Sequence, residues 1–355
     1  MNSRVYIMIK SVEIMNYKVI DSLKIENLSN INFFVGKNNC GKTSLLEAIY
    51  LNFYPSNPEY IINVVSNAIR HIRLNNNNLS YFFHKMNPEK PIDIISMYDD
   101  KKMMLKIRPN ILNDFTQNIP TDTSINKTFE SNKLDRIDGL IFDIKFNDRE
   151  KVKSSFNLNG ENIINMRHTQ YQHFNGILMA SYTMLMNLAF IVGQISILKK
   201  GKILNEYLKI FDNNILGVEV IGNEVMIDIE GMPKKIGINI MGEGFKKYLF
   251  IVGSLILNKY DYFCIDEIEN GLHFETMIKL IDSIIELTKV ANIQLFISTH
   301  SYEFLEILNG MSLEKKYHNI AVFNIDRTKT KGLQAYRYNM DDLKHLLETK
   351  TEFRE

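Results

Sequence analysis

The stretch FFVGKNNCGKTSLLEAIY, Phe33 to Tyr50, decides the reading of this chain. An apolar strand, INFFV, runs into a polar turn between two glycines. An amphipathic helix with apolar Leu45, Leu46, Ile49 and Tyr50 follows. Within it, GKNNCGKT (Gly36 to Thr43) fits the phosphate-loop pattern G-x-x-x-x-G-K-[ST]. Gly36 and Gly41 allow backbone angles that a Cβ would obstruct. The amides of Asn38, Asn39, Cys40, Gly41 and Lys42 can then point inward as a cradle for phosphate oxygens. The positive end of the following helix adds to that cradle. In this reading Lys42 reaches the β- and γ-phosphates of ATP. The Thr43 hydroxyl meets Mg²⁺, and Ser44 adds a further phosphate contact.

Three distant segments supply what such a loop needs. YFCIDE, Tyr262 to Glu267, is an apolar strand ending in two acids. Asp266 is placed to hold Mg²⁺ and Glu267 to polarise the attacking water. LFISTHS is another apolar strand, and it presents His300 as a candidate γ-phosphate sensor. MGEGFKKYLF opens a helix on Gly242, Glu243 and Gly244, whose free amides and dipole suit an anion. Lys246 and Lys247 are read as adding positive charge there. Positions 42 and 266 differ by 224, a separation too long for small GTPases and AAA+ motors. It suits an ABC-type head of the SMC and RecF kind, in which a β-lobe and helices divide the two halves of the core.

The bulk composition constrains rather than identifies. The chain has 355 residues, is 45% hydrophobic and carries a net charge of +1. It therefore has material for a sizeable core and no overall electrostatic pull toward nucleic acid or membrane. Its two cysteines, Cys40 and Cys264, lie inside motifs, which indicates a reduced, cytoplasmic protein without structural disulfides. The start, MNSRVYIMIKSVEI, lacks the pattern of a signal peptide. The uncharged run Ile177 to Leu198 is long enough to span a bilayer. A membrane span there would put the two halves of one site on opposite sides, so it reads as a buried strand and a core helix, and no membrane partner is expected.

Strands are expected over residues 10 to 35, and an antiparallel meander over 90 to 160. The latter encloses a polar loop, NDFTQNIPTDTSINKTFESN. Residues 177 to 212 read as mostly helical, and GVEVIGNEVMIDIEGMPKKIGI as a second pair of strands. From Met241 onward, helices alternate with buried strands in an α/β pattern.

Together these motifs resemble the OLD (overcoming lysogenisation defect) family of AAA/ABC-type ATPases, close to RecF-like heads. The resemblance is carried by IMNYKVIDSLKIENLSNINFFVGKNNCGKTSLLEAI, MGEGFKKYL, CIDEIENGLHFETM and FISTHSYEFLEIL. DEIENGLH, with Glu269, Gly271, Leu272 and His273, is especially typical. It implies an α/β P-loop NTPase of ABC-ATPase (RecF/SMC head) type, with an antiparallel β-lobe and a helical insertion. The nucleotide-binding core halves are expected at 1–54 and 236–330, the lobe and insertion at 55–235, and a tail at 331–355. It also implies paired heads, as a homodimer or higher homo-oligomer, in which Gly242, Glu243 and Gly244 of one subunit close on the nucleotide of the other. Longer members carry a TOPRIM nuclease domain with a D-x-D; the residues after His300 contain none. Members of the ATPase-only form often act beside a separate nuclease or toxin effector in anti-phage defence.

DNA stays open as a partner under the alternative of a RecF-like repair clamp, and a scaffold with a merely structural nucleotide is a third reading. Several weaker signals carry little. Asp138, Asp143 and Lys145 read as a polar strand rather than a nuclease core. His168 and His173 are too loosely set for a metal, and Lys199 to Lys202 reads as a solvated turn. Gln170, Gln172 and Gln194 are each weak candidates for a glutamine loop.

Overall fold

The computed structural model describes residues 7–53, 79–99, 101–111, 137–147, 150–157, 163–165, 175–179, 181–315, 317–328 and 330–348. The polar loop at 113–132, His168, Gln170, Gln172 and His173 lie outside them.

A six-stranded sheet forms the centre. Its order is β16 (Gly332–Tyr338), β15 (Ile320–Thr328), β3 (Ile31–Val35), β14 (Gln294–Ser298), β13 (Tyr262–Ile265) and β9 (Gly176–Met179). All neighbours pair in parallel except β15 and β16. The runs INFFV, YFCI and QLFIS are buried at every position, as expected for parallel strands covered on both faces. Alternation sorts their side chains into two cores. Phe33, Phe263, Leu295 and Ile297 face one core, and Phe34, Tyr262, Cys264 and Phe296 the other.

The first core is closed by α2 (Ser181–Ile197), α3 (Gly201–Phe211), α4 (Glu243–Leu257), α5 (Phe274–Thr288) and α6 (Tyr302–Glu314). A small sheet, β10 (Ile215–Ile221), β11 (Glu224–Ile229) and β12 (Ile236–Gly237), joins them. The second core lies between the parallel sheet, α1 (Lys42–Leu51) and a seven-stranded antiparallel sheet. That sheet runs β2 (Ile20–Ile25), β1 (Ile9–Tyr17), β4 (Ile92–Tyr98), β5 (Lys101–Asn110), β6 (Gly139–Phe146), β7 (Glu150–Asn157) and β8 (Ile163–Asn165). β4 alternates buried and half-buried positions along its length, so one face packs and the other meets solvent. Buried Gln294 ties the two sheets, exchanging hydrogen bonds of 2.9 Å with both the amide and the carbonyl of Ile9.

Three segments sit differently from the sequence expectation. Residues 9–25, assigned above to a core half, pair as β1 and β2 within the antiparallel sheet. Residues 176–179, assigned to the insertion, form the edge strand β9 of the parallel sheet. The expected tail folds back as β16 and α7 (Met340–Glu348). Among the described residues, no helix is long and apolar enough to cross a membrane.

Candidate nucleotide-binding site

The carboxyl ends of β3, β14 and β13 meet at one edge, the usual place for a ligand in an open α/β sheet. The loop Gly36 to Gly41 leaves β3 there. Gly36 has φ +140°, and a Cβ on it would lie 2.4 Å from the Ile325 carbonyl oxygen of β15. Only glycine satisfies both constraints. Asn39 is also left-handed, at φ 61°, and Lys37, Asn38 and Asn39 are exposed. Lys42 is buried, and its Nζ donates to the carbonyls of Gly36 (2.7 Å) and Lys37 (2.8 Å). The ammonium is thereby held in the loop's own hollow. Cys40 lies beneath it, and burial pushes its thiol up, so it is a packing group rather than a thiolate.

Thr43 is exposed at the first turn of α1, and Ser44 beside it is buried. The Thr43 hydroxyl donates to Asp266 Oδ2 at 2.9 Å. Asp266 Oδ1 accepts from the Ser298 hydroxyl, and Ser298 Oγ accepts from the Glu267 amide at 2.8 Å. Fully buried Ser298 thus fixes both acids from the intervening strand. Glu267 adopts a left-handed φ of 47°, which turns the chain sharply after β13, and its carboxylate accepts from Asn270. His300 is exposed at the end of β14. Its Nδ1 meets Glu269 Oε1 at 2.6 Å, and its backbone amide donates to the same oxygen at 2.8 Å.

The helix start at Gly242 to Gly244 lies against this loop. Gly242 and Glu243 are exposed, and no side chain caps the first turn. A Cβ on Gly244 would stand 2.7 Å from the Gly271 carbonyl oxygen. Lys246 and Lys247, expected to offer charge to an anion, are buried instead. Lys246 pairs with Glu243 at 2.7 Å, and Lys247 Nζ donates to the carbonyls of Glu267 (2.9 Å) and Ile268 (3.4 Å). The cause is α4 itself, which is buried from Phe245 to Leu257, so both ammonium groups turn back to partners in the same chain. Burial lowers the Lys247 ammonium to about 8, against the opposing pull of Glu269, Glu267, Asp266 and Glu243.

Sequence reasoning missed Ser298, the contact of Glu269 with His300 and a partly buried ion pair behind α1. In that pair Lys18 Nζ lies 2.5 Å from Glu47 Oε2, and Tyr17 also donates to this oxygen. Burial raises the Glu47 carboxyl, Lys18 opposes this, and Asp266 adds to it. Glu47 stands one helical turn beyond Thr43, a spacing visible in the sequence; its partner on the β1–β2 turn is not. Among the weaker signals, Asp143 is paired with Arg108 across the antiparallel sheet, Lys145 is exposed on the same strand, and Gln194 is half-buried on α2. The described residues contain no cluster of three metal-ligating side chains.

A phosphate loop, an acidic strand one strand removed and a glycine-led helix on one mixed sheet define a P-loop NTPase of the SMC/ABC-head type. The family described as "AAA domain, putative AbiEii toxin, Type IV TA system" matches residues 31–306. The chain belongs to this family of AAA ATPases, and it is an ATPase. It is similar to a Helicobacter pylori protein named "ATP/GTP phosphatase", with 28% identity over 343 residues, covering 89% of this chain and 92% of that protein. Among solved structures it resembles an Smc head bound to the C-winged helix domain of ScpA (TM-score 0.52, 13% identity, 94% of this chain and 98% of that one). It also resembles the Pyrococcus furiosus Smc head domain with an extended coiled coil, bound to the C-terminal domain of ScpA (TM-score 0.52, 12% identity, 98% and 100%). At such identities these two likenesses concern the fold alone.

Proposed function

We propose that this chain is an OLD-like, Mg²⁺-dependent ATPase whose paired heads act as a switch on a separate effector protein, in anti-phage defence. One observation carries the catalytic part. The hydroxyl of Thr43 and the carboxylate of Asp266, 223 positions apart, meet at 2.9 Å at the edge of one sheet. Two hard oxygen donors beside an anion cradle suit Mg²⁺. That ion would be held by Thr43 and Asp266 and would neutralise charge on the β- and γ-phosphates.

The chain's own groups supply the rest. Amides of Asn38 to Lys42 and the Lys42 ammonium hold the triphosphate. Glu267, fixed by Ser298 through its amide, orients water toward the γ-phosphate. His300 meets the γ-phosphate from the end of β14. The amides at exposed Gly242 and Glu243 and half-buried Gly244 cap the nucleotide of a second subunit, which makes ATP the glue of the pair. The name of the Helicobacter pylori relative supports hydrolysis, and the toxin–antitoxin wording of the family supports an effector.

The test is Glu267→Gln. ATP should still bind, turnover should fall on the order of 100-fold or more, and the nucleotide-bound dimer should persist in sedimentation. Unchanged turnover would remove Glu267 from its role. For the switch, the purified protein is mixed with the product of the adjoining gene. Binding that does not differ between ATP-bound Glu267→Gln and the nucleotide-free protein would refute it.

A further inference from the structure

Glu269 has no role in the mechanism above, yet it is the most tightly committed acid at the site. It is only 9% exposed. The turn that carries it is closed by Asn270 N–H to the Glu267 carbonyl (3.1 Å) and Leu272 N–H to the Glu269 carbonyl (3.0 Å). Gly271 at φ +77° completes that turn. The turn brings the carboxylate beneath the end of β14. There one oxygen, Oε1, takes both the backbone amide and the ring Nδ1 of the same residue, His300, at 2.8 and 2.6 Å. The other oxygen, Oε2, is buried with no hydrogen-bond partner among the described residues. An unmade bond on a buried carboxylate is costly, so the group is held there by something other than its own satisfaction. The opposing charge is Lys247, for which Glu269 is the foremost electrostatic partner.

We propose that Glu269 is the positioning residue of His300. Accepting from Nδ1 makes that nitrogen the protonated one and fixes the ring about its Cα–Cβ bond. Nε2 is then the nitrogen presented outward from a side chain that is 41% exposed. The backbone bond to the same oxygen ties the ring to the strand end, so the ring follows β14 and not the solvent. In an imidazole held this way, a carboxylate sets tautomer and direction without touching the substrate. Glu267 and Glu269, two residues apart, thus divide the work. The first faces the water, and the second faces the residue that faces the phosphate.

This rests on His300 meeting the nucleotide, and the experiment separates the two ideas. Glu269→Ala, Glu269→Gln, His300→Ala and the double variant Glu269→Ala/His300→Ala are compared for ATP affinity, kcat and the ¹⁵N signals of the His300 ring. Glu269→Ala should lower kcat about tenfold or more and leave the dissociation constant for ATP within about twofold. It should also abolish the Nδ1-protonated signature in nucleotide-free protein. Glu269→Gln, whose amide oxygen can still accept from Nδ1, should restore much of both and guards against a folding failure. In the double variant the loss of Glu269 should add nothing to that of His300. Additive losses in kcat, or an unaltered ring signature in Glu269→Ala, would overturn the proposal. If His300→Ala hydrolyses ATP normally, the sensor reading fails, and the ring signals alone decide whether Glu269 orients the imidazole.

Discussion

Replacing Lys247 by Met puts the energetics of the buried edge to a direct test. The ammonium sits beneath the loop after β13, donating to two successive carbonyls and shut off from most solvent. Two effects oppose each other. Removing it takes a charged donor from the Glu267 and Ile268 carbonyls, the first of which keeps the Asn270 amide, and a charged hydrogen bond contributes about 1.5–3 kcal/mol. Removing it also ends the cost of keeping a charge in a place that lowers its ordinary 10.5 to about 8. That gap, at about 1.4 kcal/mol per tenfold step, is about 3 kcal/mol. The two nearly cancel at neutral pH, so Lys247→Met should fold about as stably as the parent. The pH dependence should separate them. Between about 8 and 10.5 the unfolded lysine still binds a proton that the folded one has released. Stability of the parent must therefore rise with pH across that window, relative to Lys247→Met, by up to about 3 kcal/mol. Urea unfolding of both proteins without nucleotide, at pH 7 and pH 10, measures the difference. Parallel stability curves would refute a desolvated, charged lysine at this position.

Other changes probe other parts of the edge. Gly36→Ala meets the Ile325 carbonyl and a φ of +140°, so it should weaken ATP binding at least tenfold in a fluorescent-nucleotide titration. Ser298→Ala removes the hydroxyl that holds Asp266 and the Glu267 amide. It should cost about 1–3 kcal/mol in urea unfolding and lower kcat more than ATP affinity. Lys18→Met leaves Glu47 buried without its partner and should cost on the order of 3 kcal/mol. Adding Glu47→Leu should recover most of that loss in the same melts.

How much was legible follows from how local each signal is. The phosphate loop is contiguous, and its strand and helix flank it, so Gly36, Lys42 and Thr43 could be read at sight. Asp266 and His300 end apolar runs, which also mark themselves. A buried strand ahead of the core helix is expected in this run, but where it ends and which sheet it joins are not legible, because GILM continues directly into ASYTMLMNLAF and four apolar residues carry no decisive period. β1 alternates clearly, but alternation names no pairing partner, and β4 lies far along the chain. Lys246 and Lys247 read as free charge in the sequence because lysine is so seldom buried. Their burial is set by α4 packing between other helices, which no local pattern reports. Glu269 looked like part of a phrase; only the turn through Gly271 brings it under His300.

The edge that carries Thr43, Asp266 and Ser298 is held by strand register more than by any single contact. With β14 between them, β3 and β13 lie two strand spacings apart, about 10 Å. The loop after β3 turns back across that gap, which brings Thr43 to Asp266 directly above Ser298. Ser298 pairs with Phe34, and Ile297 with both Phe33 and Ile265. Sliding β14 by one residue would turn Ser298 away from Asp266 and exchange the sets of side chains that face the two cores. Buried Leu295, Phe296 and Ile297 of β14 oppose that slip, since each would meet the wrong core. The apolar runs that make the sheet therefore also set the position of Asp266 and Glu267, so core variants of Phe296 or Ile297 should disturb turnover without touching nucleotide.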